Sequence, residues 1–153
     1  MQYSSTMSDP AEATADSLAC TCARVRKTAR RITQIYDRHI QPAGLTVTQF
    51  GILAHLKRLD GITIGALAER MIMDPTALTR ALKPLERQAF VRLEADPDDR
   101  RARRIRITDA GRDALGAARP GWERAQAEVR AALGAEATAI LHQSLDLTLK
   151  RLA

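Results

Sequence analysis

Asp74-Pro75-Thr76-Ala77-Leu78-Thr79-Arg80-Ala81-Leu82-Lys83 has the pattern of a capped amphipathic helix. Aspartate is a strong N-cap, because its carboxylate accepts from the orphan amides of the first helical turn. Proline suits the next position, where an amide would find no partner. Leu78, Leu82 and Leu85 recur at helical spacing and predict one apolar face. Thr76, Thr79, Arg80 and Lys83 fall on the opposite face. Upstream, Thr63 predicts another N-cap, with Ile64, Leu67 and Ala68 facing inward. The tight turn Met71-Ile72-Met73-Asp74 joins the two helices. Pro84 conflicts with a helix interior, at a cost of about 3 kcal/mol. Because Leu85 continues the apolar face, the expected outcome is a kinked helix running to about Gln88.

Downstream, Phe90-Val91-Arg92-Leu93 and Arg104-Ile105-Arg106-Ile107 alternate as strands do. The polar segment Asp96-Pro97-Asp98-Asp99-Arg100-Arg101 between them predicts a two-stranded hairpin. Arg100, Arg101, Arg103, Arg104 and Arg106 place five guanidinium groups in seven residues. A fold gains little from such crowding, whereas a hairpin lying on phosphates gains much. Threonines and cations near a helix N-terminus also suit base edges and phosphates. The expected contact set is Pro75, Thr76, Thr79, Arg80, Lys83, Asp99, Arg100, Arg101 and Arg103, with Asp99 orienting the Arg101 side chain.

The flanks read as long helices. Leu18, Cys22, Val25, Ala29, Ile32 and Tyr36 step in a heptad-like seam that ends before Pro42-Ala43-Gly44. Thr46-x-x-Gln49 is a capping box opening a helix whose stripe is Phe50, Leu53, Leu56 and Leu59. Thr108 caps a fifth helix carrying Trp122, Ala125, Val129 and Leu133, which Pro120-Gly121 should bend or break and Gly134 should end. A last helix, from about Glu136 to Leu152, is expected to bury Leu141, Leu145, Leu149 and Leu152. The fold class is mostly α with a small β-hairpin wing: a winged helix-turn-helix plus N- and C-terminal dimerisation helices. Residues 1–16 read as a loosely ordered tail, and 17–153 as one domain. Within it, 17–40 and 112–153 would dimerise, and 45–111 would form the DNA-binding lobe.

Composition narrows the function. The chain has 153 residues and a net charge of +6, which fits a polyanionic partner. Cys20 and Cys22 are too few for a disulfide framework and lack zinc-ligand spacing. No apolar run approaches the roughly 18 residues of a membrane span, and no secretory signal is legible. The expected protein is cytoplasmic, without cofactor, metal or membrane. Paired carboxylates, a nucleophile with its base and a phosphate-cradling glycine loop are missing, so an enzyme is not expected.

From Leu45 to Arg112 the chain resembles the MarR family of bacterial transcriptional regulators. The resemblance runs through Leu45-Thr46-x-x-Gln49-Phe50, Leu67-Ala68-Glu69-Arg70, Thr79-Arg80-x-Leu82, Leu85-Glu86-Arg87, Asp99-Arg100-Arg101-Ala102 and Ile107-Thr108-x-x-Gly111-Arg112. It implies a homodimer on a pseudopalindromic double-stranded DNA operator, acting as a repressor. The reading helix would enter the major groove and the wing the flanking minor groove. The family's wing pair falls on Asp99 and Arg101. Ala89 stands where the family usually has glycine, and a left-handed exit costs alanine more.

The resemblance also implies a pocket for a small aromatic or phenolic effector, to which Tyr36, His39, Phe50 and Trp122 would contribute. Cys22 aligns with the reactive cysteine of the family's organic-hydroperoxide sensors, and Tyr36 with one of its tyrosine partners. Val47 and Arg26 occupy the positions of the others. Against a redox role, free cysteine on an apolar seam packs as a small hydrophobe, and buried packing is the favoured expectation. Two alternatives therefore stay open: a thiol-based peroxide sensor, and a winged helix used for protein assembly without an operator.

Overall fold

A computed structural model describes residues 20–99 and 101–153. The expected tail, Leu18 and Arg100 lie outside those residues. The chain divides into two compact units, 1–34 and 35–153, with the boundary inside the first helix, α1 (Thr21–Ile40). In the first unit, the seam residues Cys22, Val25 and Ala29 are exposed. Both Cys20 and Cys22 are free and exposed, so the single chain does not itself bury Cys22.

In the second unit, α1 ends in a 3-10 turn (Gln41–Ala43) closed by Gly44 at φ +77°. Helix α2 (Val47–Arg58) opens on the expected capping box, with Thr46 Oγ1 accepting from Gln49 N and Gln49 Oε1 accepting from Thr46 N. Asp37 fastens the same end, its Oδ1 accepting from Val47 N at 2.6 Å. Thr63 caps α3 (Ile64–Arg70). Asp74 caps α4 (Pro75–Arg87), accepting from the amides of Thr76 and Ala77. Helix α4 continues through Pro84 to Arg87, so the proline does not end it.

A strand too short to be legible, β1 (Ile62–Thr63), makes the expected two-stranded hairpin a three-stranded antiparallel sheet. Its partner β3 (Arg103–Ile107) lies between β1 and β2 (Val91–Ala95). In the β2–β3 register, Val91 is opposite Ile107, Leu93 opposite Ile105 and Glu94 opposite Arg104. Leu78, Leu82 and Leu85 of α4 are buried with Ile52, Leu53 and Leu56 of α2, Leu67 of α3, and Val91 and Ile105 of the sheet. Burying each such side chain contributes about 1.5–3 kcal/mol, and together they hold α4 against the wing.

Helix α5 (Asp109–Leu133), capped by Thr108, runs unbroken through Pro120 and Gly121, where a bend or break was expected. Pro120 is exposed. Gly121 is buried against the end of α1, where a Cβ would stand 2.3 Å from the His39 carbonyl oxygen. That close approach requires glycine at this point of the helix. Gly134, at φ +80°, separates α5 from α6 (Ala135–Leu152). Leu141 of α6 is half-buried, but Leu145, Leu149 and Leu152 are exposed in the single chain, contrary to expectation. Among the described residues no helix is long and apolar enough to cross a membrane.

Candidate nucleic-acid interface

The caps and the apolar stripe together present one face of α4. Pro75, Thr76, Arg80 and Lys83 are exposed on it, opposite the buried leucines. Thr79 is half-buried, and its hydroxyl donates to the Pro75 carbonyl at 2.8 Å. Its proton is therefore not available to a phosphate as expected; its methyl group and remaining lone pair are. One turn beyond Lys83, the exposed Arg87 lines a shallow groove with Arg80, Lys83, Pro84 and Glu86. The contact set read from the sequence omitted Arg87, although its spacing from Arg80 and Lys83 was visible.

The wing separates the arginines into two kinds. Arg104 forks onto Asp96, with Nε 2.8 Å from Oδ2 and Nη2 3.3 Å from Oδ1, and reaches Asp98 at 3.4 Å. Arg106 donates to Glu94 at 2.8 Å and to Asp60 at 3.0 Å. These two side chains tie the sheet through carboxylates, so the fold gains more from the cluster than the little expected. The pairing hydrogen bonds hold the carboxyls of Asp96 and Glu94 below their usual range, chiefly through Arg104 and Arg106 respectively. Arg101 and Arg103 are exposed and have no carboxylate partner among the described residues.

Asp99 also acts differently from the expectation. Its Oδ1 accepts from the Arg101 backbone amide at 2.9 Å, and its carbonyl accepts from Ala102 N at 2.9 Å. The carboxylate shapes the turn and leaves the Arg101 guanidinium free.

The expected effector residues are only partly brought together. The rings of Phe50 and Trp122 stack, with centroids 6.0 Å apart and planes inclined by 14°. They line a cleft of about 470 Å³ between α2 and α5, with Ala54, Lys57, Arg58, Leu115, Gly116 and Arg119. Tyr36 is half-buried against the core, and burial raises its phenol pKa. His39 is not part of this cleft. Its Nε2 lies 2.7 Å from Glu128 Oε2, and Arg38 donates to the other oxygen of the same carboxylate. Lys57, Arg58 and Arg119 were missed, because only tertiary packing gathers cations from α2 and α5 around the aromatic pair. Among the described residues no His, Cys, Asp and Glu cluster is placed to hold a metal ion.

The profile of the MarR family matches residues 43–102, which run from the end of the 3-10 turn through α2, the helix pair and β2 to the wing tip, short of β3. MosR, a transcriptional regulator of M. tuberculosis solved in complex with DNA, is 39% identical. That likeness covers 84% of this chain and 98% of MosR, with a TM-score of 0.69. YdgJ of Bacillus subtilis, an uncharacterized HTH-type transcriptional regulator, is 31% identical over 64% of this chain and 60% of its own length. The chain thus spans about three fifths of the curated relatives it matches first. A mutant MarR of E. coli complexed with operator DNA shares the fold, at 21% identity and a TM-score of 0.77 over 93% of this chain and 99% of that one. Near-complete coverage of MosR, the family profile and the winged helix-turn-helix agree: the chain belongs to the MarR family of transcriptional regulators.

Proposed function

We propose that the protein binds a pseudopalindromic double-stranded DNA operator as a homodimer and represses transcription. The observation that carries this reading is one set of exposed groups without carboxylate partners among the described residues: Thr76, Arg80 and Lys83 on α4, and Arg101 and Arg103 on the wing. Pro75, Thr76, Thr79, Arg80 and Lys83 enter the major groove. Asp99 shapes the wing turn, and Arg100, Arg101 and Arg103 reach the flanking minor groove, where narrow A·T-rich segments attract guanidinium groups. The DNA complex of MosR supports the same use of this fold.

Residues 17–40 and 112–153 form the dimer layer, and 45–111 the DNA-binding lobe. The exposed Leu145, Leu149 and Leu152 suit a surface that a second copy covers. Selection from a random duplex pool, followed by affinity measurement across salt concentrations, tests the reading. An enriched inverted repeat and a steep salt dependence are expected. No enrichment with a flat salt response would restore the protein-assembly alternative. Sedimentation should give a dimer.

The cleft between α2 and α5 is the site we assign to a small aromatic or phenolic acid. Phe50 and Trp122 offer aromatic surface, and Lys57, Arg58 and Arg119 attract an anion. Trp122 is the only tryptophan, so ligand entry should change the intrinsic fluorescence. A panel of phenolic acids that alters neither fluorescence nor melting temperature would remove this assignment.

A second reading rests on the place of Cys22 in the first turn of α1, where the single chain leaves the thiol uncovered. If the assembled dimer leaves this thiol accessible, it can react with peroxide. Cumene hydroperoxide should then release DNA from the wild type but not from Cys22→Ser. An insensitive wild type ends this reading.

A further inference from the structure

Four hydrogen bonds converge on the Asp96 carboxylate, which is 6% exposed. Asp98 N and Asp99 N donate to its Oδ1 at 2.8 and 3.3 Å. The Arg104 guanidinium takes both oxygens at 2.8 and 3.3 Å. The Asp96 amide itself donates to the Ala102 carbonyl at 3.1 Å, closing the base of the loop. From there the order is handed on: the Asp99 carboxylate accepts from Arg101 N at 2.9 Å. One buried carboxylate thus holds the amides of Asp98 and Asp99, Asp99 in turn holds the Arg101 amide, and the Arg101 side chain is exposed.

The charges are matched as well. The Arg104 guanidinium neutralises Asp96, so the buried carboxylate does not cancel the outward charge of Arg101 and Arg103. A wing tip ordered before contact does not lose its conformational freedom on binding, which is the usual route by which preorganisation raises affinity.

We propose that Asp96 is the positioning residue of the wing: it orders the tip so that Arg101 meets nucleic acid in a fixed pose. The proposal rests on the DNA-binding reading above, and two independent arms keep them separable. The first arm uses no DNA. In Asp96→Asn and Asp96→Ala, amide hydrogen exchange at Asp98, Asp99 and Arg101 should rise by about tenfold or more, while α4 amides keep their protection. The second arm measures affinity for the duplex that the wild type enriches from a random pool.

Asp96→Ala should weaken binding about tenfold, the order of one groove contact. Asp96→Ala combined with Arg101→Ala should bind no worse than Arg101→Ala alone. Asp98→Ala should bind as the wild type, because its side chain is 88% exposed and makes one contact at 3.4 Å. If Asp96→Ala does not fold, Arg104→Gln should reproduce its exchange and binding pattern. Unchanged exchange at the tip, or losses from Asp96→Ala and Arg101→Ala that multiply, would overturn the proposal. A wild type that enriches no duplex defeats the DNA reading, and the exchange arm still decides whether Asp96 orders the tip.

Discussion

Arg106 and Asp60 meet at 3.0 Å across 46 residues of sequence, and the other oxygen of Asp60 accepts from the Ile107 amide at 3.2 Å. One carboxylate thereby ties the turn after α2 to the end of β3. Asp60→Ala leaves the Ile107 amide without its acceptor, which should cost about 1 kcal/mol. The ion pair, with both partners about one third exposed, adds little. Urea denaturation should show this loss, and an unchanged midpoint would mean that the tie is structurally idle.

Ala89 sits at φ +56° and Ile72 at φ +50°. Each follows a helix end of the same kind: Phe90 N donates to Leu85 O at 2.8 Å, and Met73 N to Ala68 O at 2.8 Å. Left-handed backbone costs an L-residue about 1–2 kcal/mol. Glycine removes that strain and returns about 0.5–1 kcal/mol through its greater freedom when unfolded. Ala89→Gly should therefore raise the unfolding free energy by about 0.5–1 kcal/mol. A lower value in denaturant titrations would contradict the strain account.

Arg101→Ala and Arg106→Ala should fail differently. Losing the free Arg101 side chain should cost about 1–3 kcal/mol of operator binding and lower the salt slope by about one. Its melting temperature should stay at the wild-type value. Arg106→Ala removes one of the two partners of Glu94 and the partner of Asp60, so a lower melting temperature is expected even without DNA. Identical behaviour of the two variants would erase the distinction between free and structural wing arginines.

Gly111→Ala should be poorly tolerated. A Cβ there would stand 2.1 Å from the Phe90 carbonyl oxygen and 3.0 Å from Ile107 Cγ1. The strand end and helix start must then move apart, at about 1–3 kcal/mol. Gly65 has open space around it in α3, so Gly65→Ala should instead gain about 0.5–1 kcal/mol. Thermal melts of the pair check the sign of each change.

Acid should loosen the molecule at three named sites. His39 holds Glu128 below its usual pKa of 4.5, Arg106 does the same for Glu94, and Arg104 holds Asp96 below 3.8. A carboxyl with a depressed folded pKa contributes stability above its unfolded value and loses it as pH falls through the folded value. The losses should therefore lie below pH 4.5 for the glutamates and below pH 3.8 for Asp96. Stability measured against pH should fall there, and Asp96→Asn should flatten the lower part of the curve. A wild-type profile flat through that window would contradict these assignments.

Much of the fold was legible because its signals are local. Thr46, Thr63, Asp74 and Thr108 each cap the helix that follows within three residues. Leu78, Leu82 and Leu85 mark the core face through helical spacing alone. The two-residue β1 was not legible, since it is a strand only because β3 lies beside it. His39 was expected beside Phe50 and Trp122, but the fold brings Glu128, 89 positions away, to its ring and leaves it outside their cleft. Leu145, Leu149 and Leu152 have the pattern of a buried stripe, yet the single chain leaves them exposed. Periodicity reports that a face is apolar, not whether its own chain covers it.

Local sequence dictates the order of the elements, their caps, the core face of α4 and the density of positive charge in the wing. Those properties depend on residues within a turn or two of each other. Tertiary structure decided which charges remain outward. The β2–β3 register sets Glu94 opposite Arg104 and Arg92 opposite Arg106. The ion pairs then run along the diagonals, Glu94 to Arg106 and Asp96 to Arg104. On a twisted antiparallel ladder, long side chains reach the diagonal neighbour as readily as the one directly across. That geometry assigns Arg104 and Arg106 to the sheet and leaves Arg101 and Arg103 exposed.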